Sequence, residues 1–361
     1  SKIGIAKDSP LRIESGITHV LFESGEEGHT CLPLVQFLPL AEHILEVDKT
    51  LIESCCLKLV EEKKIITKPL AVEGGVDDYI WACPYAIYES GIGRETLRLL
   101  TALSHLRSVD QEKALEWVQN KLSITLADKQ KEAVAEVLTK KMHIITGGPG
   151  TGKSTITKAI IKIISQLTDK IVLAAPTGRA AKRLTEITGC PAKTIHSLLE
   201  FDFSKGGFKK NHQTPLEADL IIIDETSMID TKLMYYLLRA IPDTARLVLV
   251  GDINQLPSVG PGNVLKDMIN SHAVSVTMLN EIFRQAQGSK IVTNAHRINA
   301  GVYPDIKNTS DSDFYFIEAP EPEDILKEIV TLVSERLPRR FQFSSKDQIQ
   351  VLSPMKKGVI G

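Results

Sequence analysis

Three observations predict an α/β fold built on a parallel sheet. Met142–Ile145, Ile221–Ile223 and Arg246–Val250 are near-continuous apolar runs of strand length, the pattern of strands buried on both faces. After the first run, Ile156, Ala159, Ile160, Ile163, Ile164 and Leu167 recur at helical spacing. Each run gives way to a glycine or an acidic residue, at the sheet edge where open α/β folds place their ligands.

With 361 residues the chain is long for one domain and suits two or three. Residues 1–93 read as a small α+β region. Leu34 to Leu45 and Asp48 to Glu62 have helical amphipathicity, and Lys64 to Thr67 and Tyr79 to Cys83 read as strands bridged by Gly74-Gly75. Helix, helix, hairpin is a winged-helix-like order. One helix from Gly93 to Leu122 is expected to join it to the α/β domain, through a connecting segment 94–125. That domain is expected over 126–286. Residues 287–361 read as the start of another of its kind, with Asp313–Ile317 and Ile349–Leu352 as strands around a helix from Glu323 to Leu337. Neither internal repeats nor low-complexity stretches interrupt this plan.

The loop after the first strand fits G-x-x-x-x-G-K-[ST], with Gly147, Gly152, Lys153 and Ser154 at its fixed positions. Strand, loop and helix together supply the context the motif requires. Gly148, Pro149, Gly150, Thr151 and Gly152 turn the backbone so that N–H groups point inward, and the helix beginning with Lys153, Ser154 and Thr155 adds partial positive charge. That is a cradle for the phosphates of ATP. Lys153 is placed to reach the β- and γ-phosphates, and the Ser154 hydroxyl to bind Mg²⁺.

Asp224-Glu225 closes the second apolar run. After a phosphate-binding loop, Asp224 suits the magnesium and Glu225 the water that attacks the γ-phosphate; the alternative is a helix N-terminus, for which Asp, Glu and Thr226 are equally suited. Gly251-Asp252 ends the third run. Gln255 follows, a neutral donor and acceptor fit to sense a γ-phosphate or orient the attacking water, or a solvated turn residue. The Pro257, Gly260, Pro261, Gly262 cluster makes a stiff loop suited to relaying nucleotide state. Arg284, after Ile282 and Phe283, is a candidate for stabilising charge on the transferring phosphoryl group.

Here the wording resembles a family. I-T-G-G-P-G-T-G-K-S-T, A-P-T-G-R-A-A-K-R-L, T-I-H-S-L-L, I-I-I-D-E-T-S-M, V-G-D-I-N-Q-L-P-S-V-G-P-G, L-N-E-I-F-R-Q and V-L-S-P-M-K-K-G are similar to the consecutive motifs of superfamily 1 helicases, RecD-like branch. The resemblance is strong over Leu126 to Gly361 and loose over the first hundred residues. It implies a RecA-like motor fold and ATP-driven movement 5′ to 3′ along single-stranded DNA, in repair or recombination. It also implies that Gln130 reads adenine. The family has Ser or Thr where this chain has Ala127; Thr125 with Asp128 offers another capping box. It further implies that Thr177, Arg179, Thr194 and His196 line the single-strand track, with a satisfied core position the alternative for His196. A short hairpin between Leu199 and Leu216 would be the pin that splits the duplex at the junction, or a loop capping the domain. The partners implied are single-stranded DNA with its duplex junction and, for a subunit, partner nuclease or helicase subunits. A nucleotide-gated DNA-binding subunit that does not unwind, and an RNA helicase of the same superfamily, are the other readings. Ser1 and the stop after V-L-S-P-M-K-K-G read as an excised fragment.

Composition narrows the rest. A net charge of −2 argues against a uniformly basic nucleic-acid coat but permits local clusters, such as Arg179, Lys182 and Arg183, or Lys205, Lys209 and Lys210. The acidic Glu73, Asp77 and Asp78 weigh against a DNA-contacting wing, leaving a brace or a docking surface. Cysteines 31, 55, 56, 83 and 190 lack C-x-x-C spacing, so a reduced thiol set and a cytoplasmic location are expected. Nothing approaches a membrane-spanning run or a signal peptide.

Overall fold

The computed structural model describes residues 6–72, 75–202, 204, 206–281, 288–310, 312–353 and 357–361. They divide into two compact units, Ser1–Phe283 and Arg284–Gly361.

The first unit opens with three helices, α1 (Pro10–Glu26), α2 (Leu34–Leu45) and α3 (Lys49–Glu61). Asp48 caps α3 by accepting the Thr50 N–H at 2.9 Å. Beside them lies an antiparallel sheet of β1 (Cys31–Pro33), β2 (Ile65–Val72) and β3 (Gly75–Ala82), in the order β1-β3-β2. Ile13, Ile17, Phe37, Ile52, Leu59 and Ile80 make its core, each almost fully buried. Glu73 and Gly74, expected in the turn, lie outside the described residues.

The expected helix from Gly93 to Leu122 is in fact two helices. The first, α4 (Cys83–Thr101), starts earlier because Pro84 occupies its first turn, where a missing N–H costs nothing. Ala102 is extended (φ −80°, ψ 154°), and α5 (Gln111–Leu122) begins afresh at Asp110, whose carboxylate accepts the Lys113 N–H at 3.1 Å.

The α/β part follows as α6 (Asp128–Thr139), β4 (Met142–Gly147), α7 (Lys153–Ile164), β5 (Ile171–Ala175), α8 (Gly178–Thr188) and β6 (Ala192–Thr194). Then come α9 (Ile195–Leu198), a small hairpin of β7 (Phe201–Asp202) and β8 (Gly207–Phe208), β9 (Leu220–Ile223) and α10 (Thr231–Ala240). The series closes with β10 (Arg246–Gly251), α11 (Val264–Asn270) and β11 (Ser275–Leu279). Six strands form one parallel sheet, ordered β11-β4-β10-β9-β5-β6, which is a RecA-like arrangement. Alternate residues of each strand feed opposite faces. Ile144, Ile221, Ile223 and Leu249 join one core with Leu237 of α10; Ile145, Ile222, Val248 and Val250 join the other with Ile160 of α7. That two-sided burial is why the runs are uninterrupted.

Two polar residues in those runs are accounted for. His143 is 1% exposed, with its ring nitrogens each 3.0 Å from the hydroxyls of Ser275 and Thr277 on β11. Burial lowers its pKa to about 4. Arg246 starts β10 by donating to the carbonyls of Val137 and Leu138 at the end of α6.

The second unit contains α12 (Lys290–Asn299), α13 (Pro322–Thr331), one π turn (Leu332–Arg336) and α14 (Leu337–Phe341). The expected helix lies within this run. The strands expected at Asp313–Ile317 and Ile349–Leu352 do not form. A strand requires a paired neighbour, and the Phe316 backbone finds a side chain instead: Asn308 accepts its N–H at 2.9 Å and donates to its carbonyl at 2.8 Å. Among the described residues, no helix is long and apolar enough to cross a membrane.

Candidate nucleotide and nucleic-acid site

Sheet order determines which loops meet. The connection leaving β4 runs to β5 on one side, whereas the one leaving its neighbour β10 runs to β11 on the other, so the outgoing connections diverge between β4 and β10. Ligands of such sheets bind beyond the carboxyl ends at this switch point. The loops leaving β4, β9 and β10 all emerge there.

The first is the glycine-rich loop. Gly150 (φ 76°) and Gly152 (φ 84°) adopt left-handed backbone that other residues rarely take. A side chain on Gly147 would lie 2.8 Å from the Leu279 carbonyl oxygen and from Thr151 Oγ1, so only glycine passes. The buried Thr151 hydroxyl donates to the Gly148 carbonyl at 2.8 Å and closes the loop from within. Pro149 and Gly150 are exposed at its top, Ser154 is exposed in the first turn of α7, and Thr155 is half-buried. Lys153 folds over the loop, donating to the carbonyls of Gly147 and Gly148. Burial pushes its pKa down, while the charges of Asp252, Glu225 and Asp224 oppose that shift.

The second loop carries the acidic pair. Asp224 extends the sheet by one bond, its N–H donating to Ala174 at 2.9 Å. Glu225 then turns left-handed (φ 53°) into a 3-10 turn, Thr226–Met228, rather than the helix start its composition also allowed. Burial raises both carboxyls. Lys153 and Arg183 hold each of them back, and the neighbouring Asp224 raises Glu225 further.

The third loop leaves β10 at Gly251 and Asp252. Thr226 Oγ1 donates to the Val250 carbonyl at 2.9 Å, fastening the second loop to the third strand. The Ile253 N–H donates to Thr146 Oγ1, tying the third loop back to β4. Asp252 is 2% exposed. Gln255 is exposed, its N–H donating to the Asp252 carbonyl at 3.2 Å. Leu256 and Val259 are exposed too. The loop's far end is fixed as well: the Gly262 N–H donates to the Gly28 carbonyl at 2.9 Å, just before β1.

Gln130 reaches the same place from α6. It is buried, its Oε1 accepting the Ala127 N–H at 3.1 Å and its Nε2 donating to the Thr151 carbonyl at 3.1 Å. Ala127 is therefore the N-cap and Gln130 makes the return bond; the alternative box of Thr125 with Asp128 does not form. Arg284, with Ile282, Phe283 and Gln285, lies outside the described residues.

A family model described as an AAA domain matches residues 130–261. The ATP-dependent RecD2 DNA helicase of Deinococcus radiodurans is 36% identical over 247 residues, 68% of this chain and 32% of that protein. The RecBCD enzyme subunit RecD of Mycobacterium tuberculosis is 35% identical over 201 residues, 48% of this chain and 34% of that protein. Over this stretch the chain is RecD-like. It spans about a third of the length of these relatives. The crystal structure of Pif1 helicase from Candida albicans shares 25% identity with a TM-score of 0.41, covering 55% of this chain and 50% of that one.

In the RecD-like segment, the four candidate track residues gather beyond the carboxyl ends of β5 and β6, at the opposite flank of the sheet from β11. Thr177 caps α8 by accepting the Ala180 N–H, and Thr194 caps α9 by accepting the Ser197 N–H, each at 3.2 Å. Arg179 and His196 are exposed, so His196 is not a core residue. In the hairpin, Phe201 pairs with Phe208 and both are half-buried; Phe203 and Lys205 lie outside the described residues.

Asp252 and Arg183 were missed as site residues by sequence reasoning. Asp252 carries the same signal as Asp224, an acid directly after a buried apolar strand. Arg183 sits in one of the local basic clusters, and its charge acts on Lys153, Asp224 and Glu225.

Proposed function

We propose that this chain is the motor core of an ATP-dependent DNA helicase or translocase that advances 5′ to 3′ on single-stranded DNA and serves repair or recombination. One observation carries the reading. The phosphate loop with Lys153, the acidic pair Asp224-Glu225 and the buried Asp252 converge at the switch point between β4 and β10 of a RecA-like sheet, in a stretch similar to RecD-like helicases.

In this reading the loop N–H groups and Lys153 hold the ATP phosphates. Lys153 leaves the carbonyls of Gly147 and Gly148 to do so, exchanging two neutral acceptors for charged ones. Glu225 accepts the proton of the attacking water, and its raised pKa brings it nearer a working base. Gln130 reads adenine from its position against Thr151, Gln255 senses the γ-phosphate, and Arg284 adds positive charge to the transferring group.

Magnesium fits the residues present. Its preferred donors are oxygen atoms, few of them from protein, with phosphate and water completing the shell. The Ser154 hydroxyl and Asp224 carboxylate supply that set, and burial, which raises the Asp224 and Glu225 carboxyls, is opposed by the Glu225 N–H at Asp224 and by Lys153 and Arg183 at both. When bound, the ion would neutralise charge on the phosphates.

Thr177, Arg179, Thr194 and His196 would contact the single strand, and the hairpin would part the duplex. The decisive measurement is magnesium-ATP hydrolysis by the full-length protein with and without single-stranded DNA, alongside unwinding of a tailed duplex. Stimulation by DNA with unwinding supports the helicase. ATP binding with neither would leave a nucleotide-gated binding subunit, and stimulation by RNA alone an RNA motor.

A further inference from the structure

We propose that α4 braces the hairpin, so that the region before the sheet domain acts as the backstop for duplex separation. This rests on the hairpin's being the strand-separating pin, and it assigns a role to a helix that no motif touches.

The hairpin cannot hold itself. It has two strands of two residues each, and isolated two-stranded hairpins are marginal in water. Its described rings, Phe201 and Phe208, are half-buried rather than displayed as a stacking surface. Phe208 lies 5.1 Å from Phe201, 5.7 Å from His196 and 5.0 Å from Tyr236 of α10, centroid to centroid. Tyr236 lies 6.0 Å from Tyr88 of α4, and Tyr88 lies 5.3 Å from Tyr235. These spacings are those of interacting aromatic pairs. The rings thus form a continuous chain of tilted and edge-on contacts from hairpin to α4.

A second tie runs beside the first. The segment returning from the hairpin carries His212, whose Nε2 is 3.1 Å from Glu95 Oε1 on α4. Glu95 is buried. Although burial opposes its ionisation, hydrogen bonds from Arg98 and His212 hold its carboxyl below the ordinary range. Arg98 donates to Glu95 at 2.7 Å and to the Leu238 and Ile241 carbonyls at 2.8 and 3.1 Å, locking α4 to the end of α10. Both ties therefore end on the same helix. Load placed on the hairpin tip by an advancing duplex has a path through Tyr236 and His212 into α4.

The test uses the full-length protein and three readouts: ATP hydrolysis stimulated by single-stranded DNA, unwinding of a tailed duplex, and melting temperature. Tyr236→Leu should slow unwinding tenfold or more while hydrolysis stays within twofold, and Tyr236→Phe should restore unwinding because the ring is what transmits load. His212→Ala should act in the same direction, about threefold. Deleting residues 202–210 serves as the reference. If the deletion abolishes unwinding but Tyr236→Leu and His212→Ala both unwind normally, the brace is overturned and the pin stands. If Tyr236→Leu loses hydrolysis and unwinding equally, the tyrosine is ordinary core and the brace is overturned. If the deletion itself leaves unwinding intact, there is no pin and nothing to brace.

Discussion

Gln130 and Thr151 lie 21 positions apart and meet through a 3.1 Å bond from the glutamine amide to the threonine carbonyl. The residue proposed to read the base is thus also a strut of the phosphate loop. Gln130→Ala should lower ATP affinity about tenfold, the scale of one lost buried hydrogen bond, and GTP affinity by a smaller factor. The loss common to both nucleotides measures the strut, and the excess for ATP measures base reading. Equal affinities for wild type and variant would leave Gln130 neither role.

Lys153→Ala should reduce magnesium-ATP affinity at least a hundredfold with the fold retained. The amine is held partly out of water, which depresses its pKa, so losing that burial cost offsets the two bonds to loop carbonyls. Stability should change by no more than about 1 kcal/mol. Titration calorimetry and thermal melting on one preparation check both halves, and unchanged affinity would remove the phosphate-loop assignment.

Glu225→Gln keeps shape and hydrogen bonding but discards the charge that accepts a proton. In the full-length protein, ATP should still bind while turnover falls about a hundredfold or more. Turnover within twofold of wild type would point to a different group, Gln255 or Asp252, as the one that positions water.

Acid should weaken the fold through His143. Its folded pKa, about 4, is below the ordinary 6.5, because burial penalises the charged ring. The unfolded chain therefore binds the extra proton first, and stability falls as pH drops from about 6.5 to about 4, being fully present above that window. The contribution is at most about 3 kcal/mol. In His143→Asn this step should vanish from the stability–pH curve measured by urea unfolding; an unchanged slope between pH 6.5 and 4 would place the acid sensitivity elsewhere.

Where local chemistry decides structure, the sequence could be read closely. The apolar runs became the central strands, α2 has its expected bounds, and the glycine pattern became a loop between β4 and α7. Where distant partners decide, it could not. The break between α4 and α5 is signalled only by Asp110, which also reads as an ordinary surface residue of a longer helix. The extended segment at Phe316 has strand composition, but its partner is the side chain of Asn308. Asp252 became a candidate only once β10 was seen to lie between β4 and β9. The anchoring of Phe208 depends on Tyr236 and Tyr88, which no spacing rule connects to a hairpin.

The segment from Asp252 to Gly262 is pinned at both ends, to β4 through Thr146 and to the start of the chain through Gly28. A cord so tethered cannot slide along its length, and Ser258, donating to the Gly260 and Gly262 carbonyls, knots its far half to itself. What slack remains lies between Asp252 and Ser258, where Leu256 stands 86% exposed, beside a Val259 96% exposed on the knotted half. A shift reaching Asp252 would be felt first by that greasy side chain at the surface.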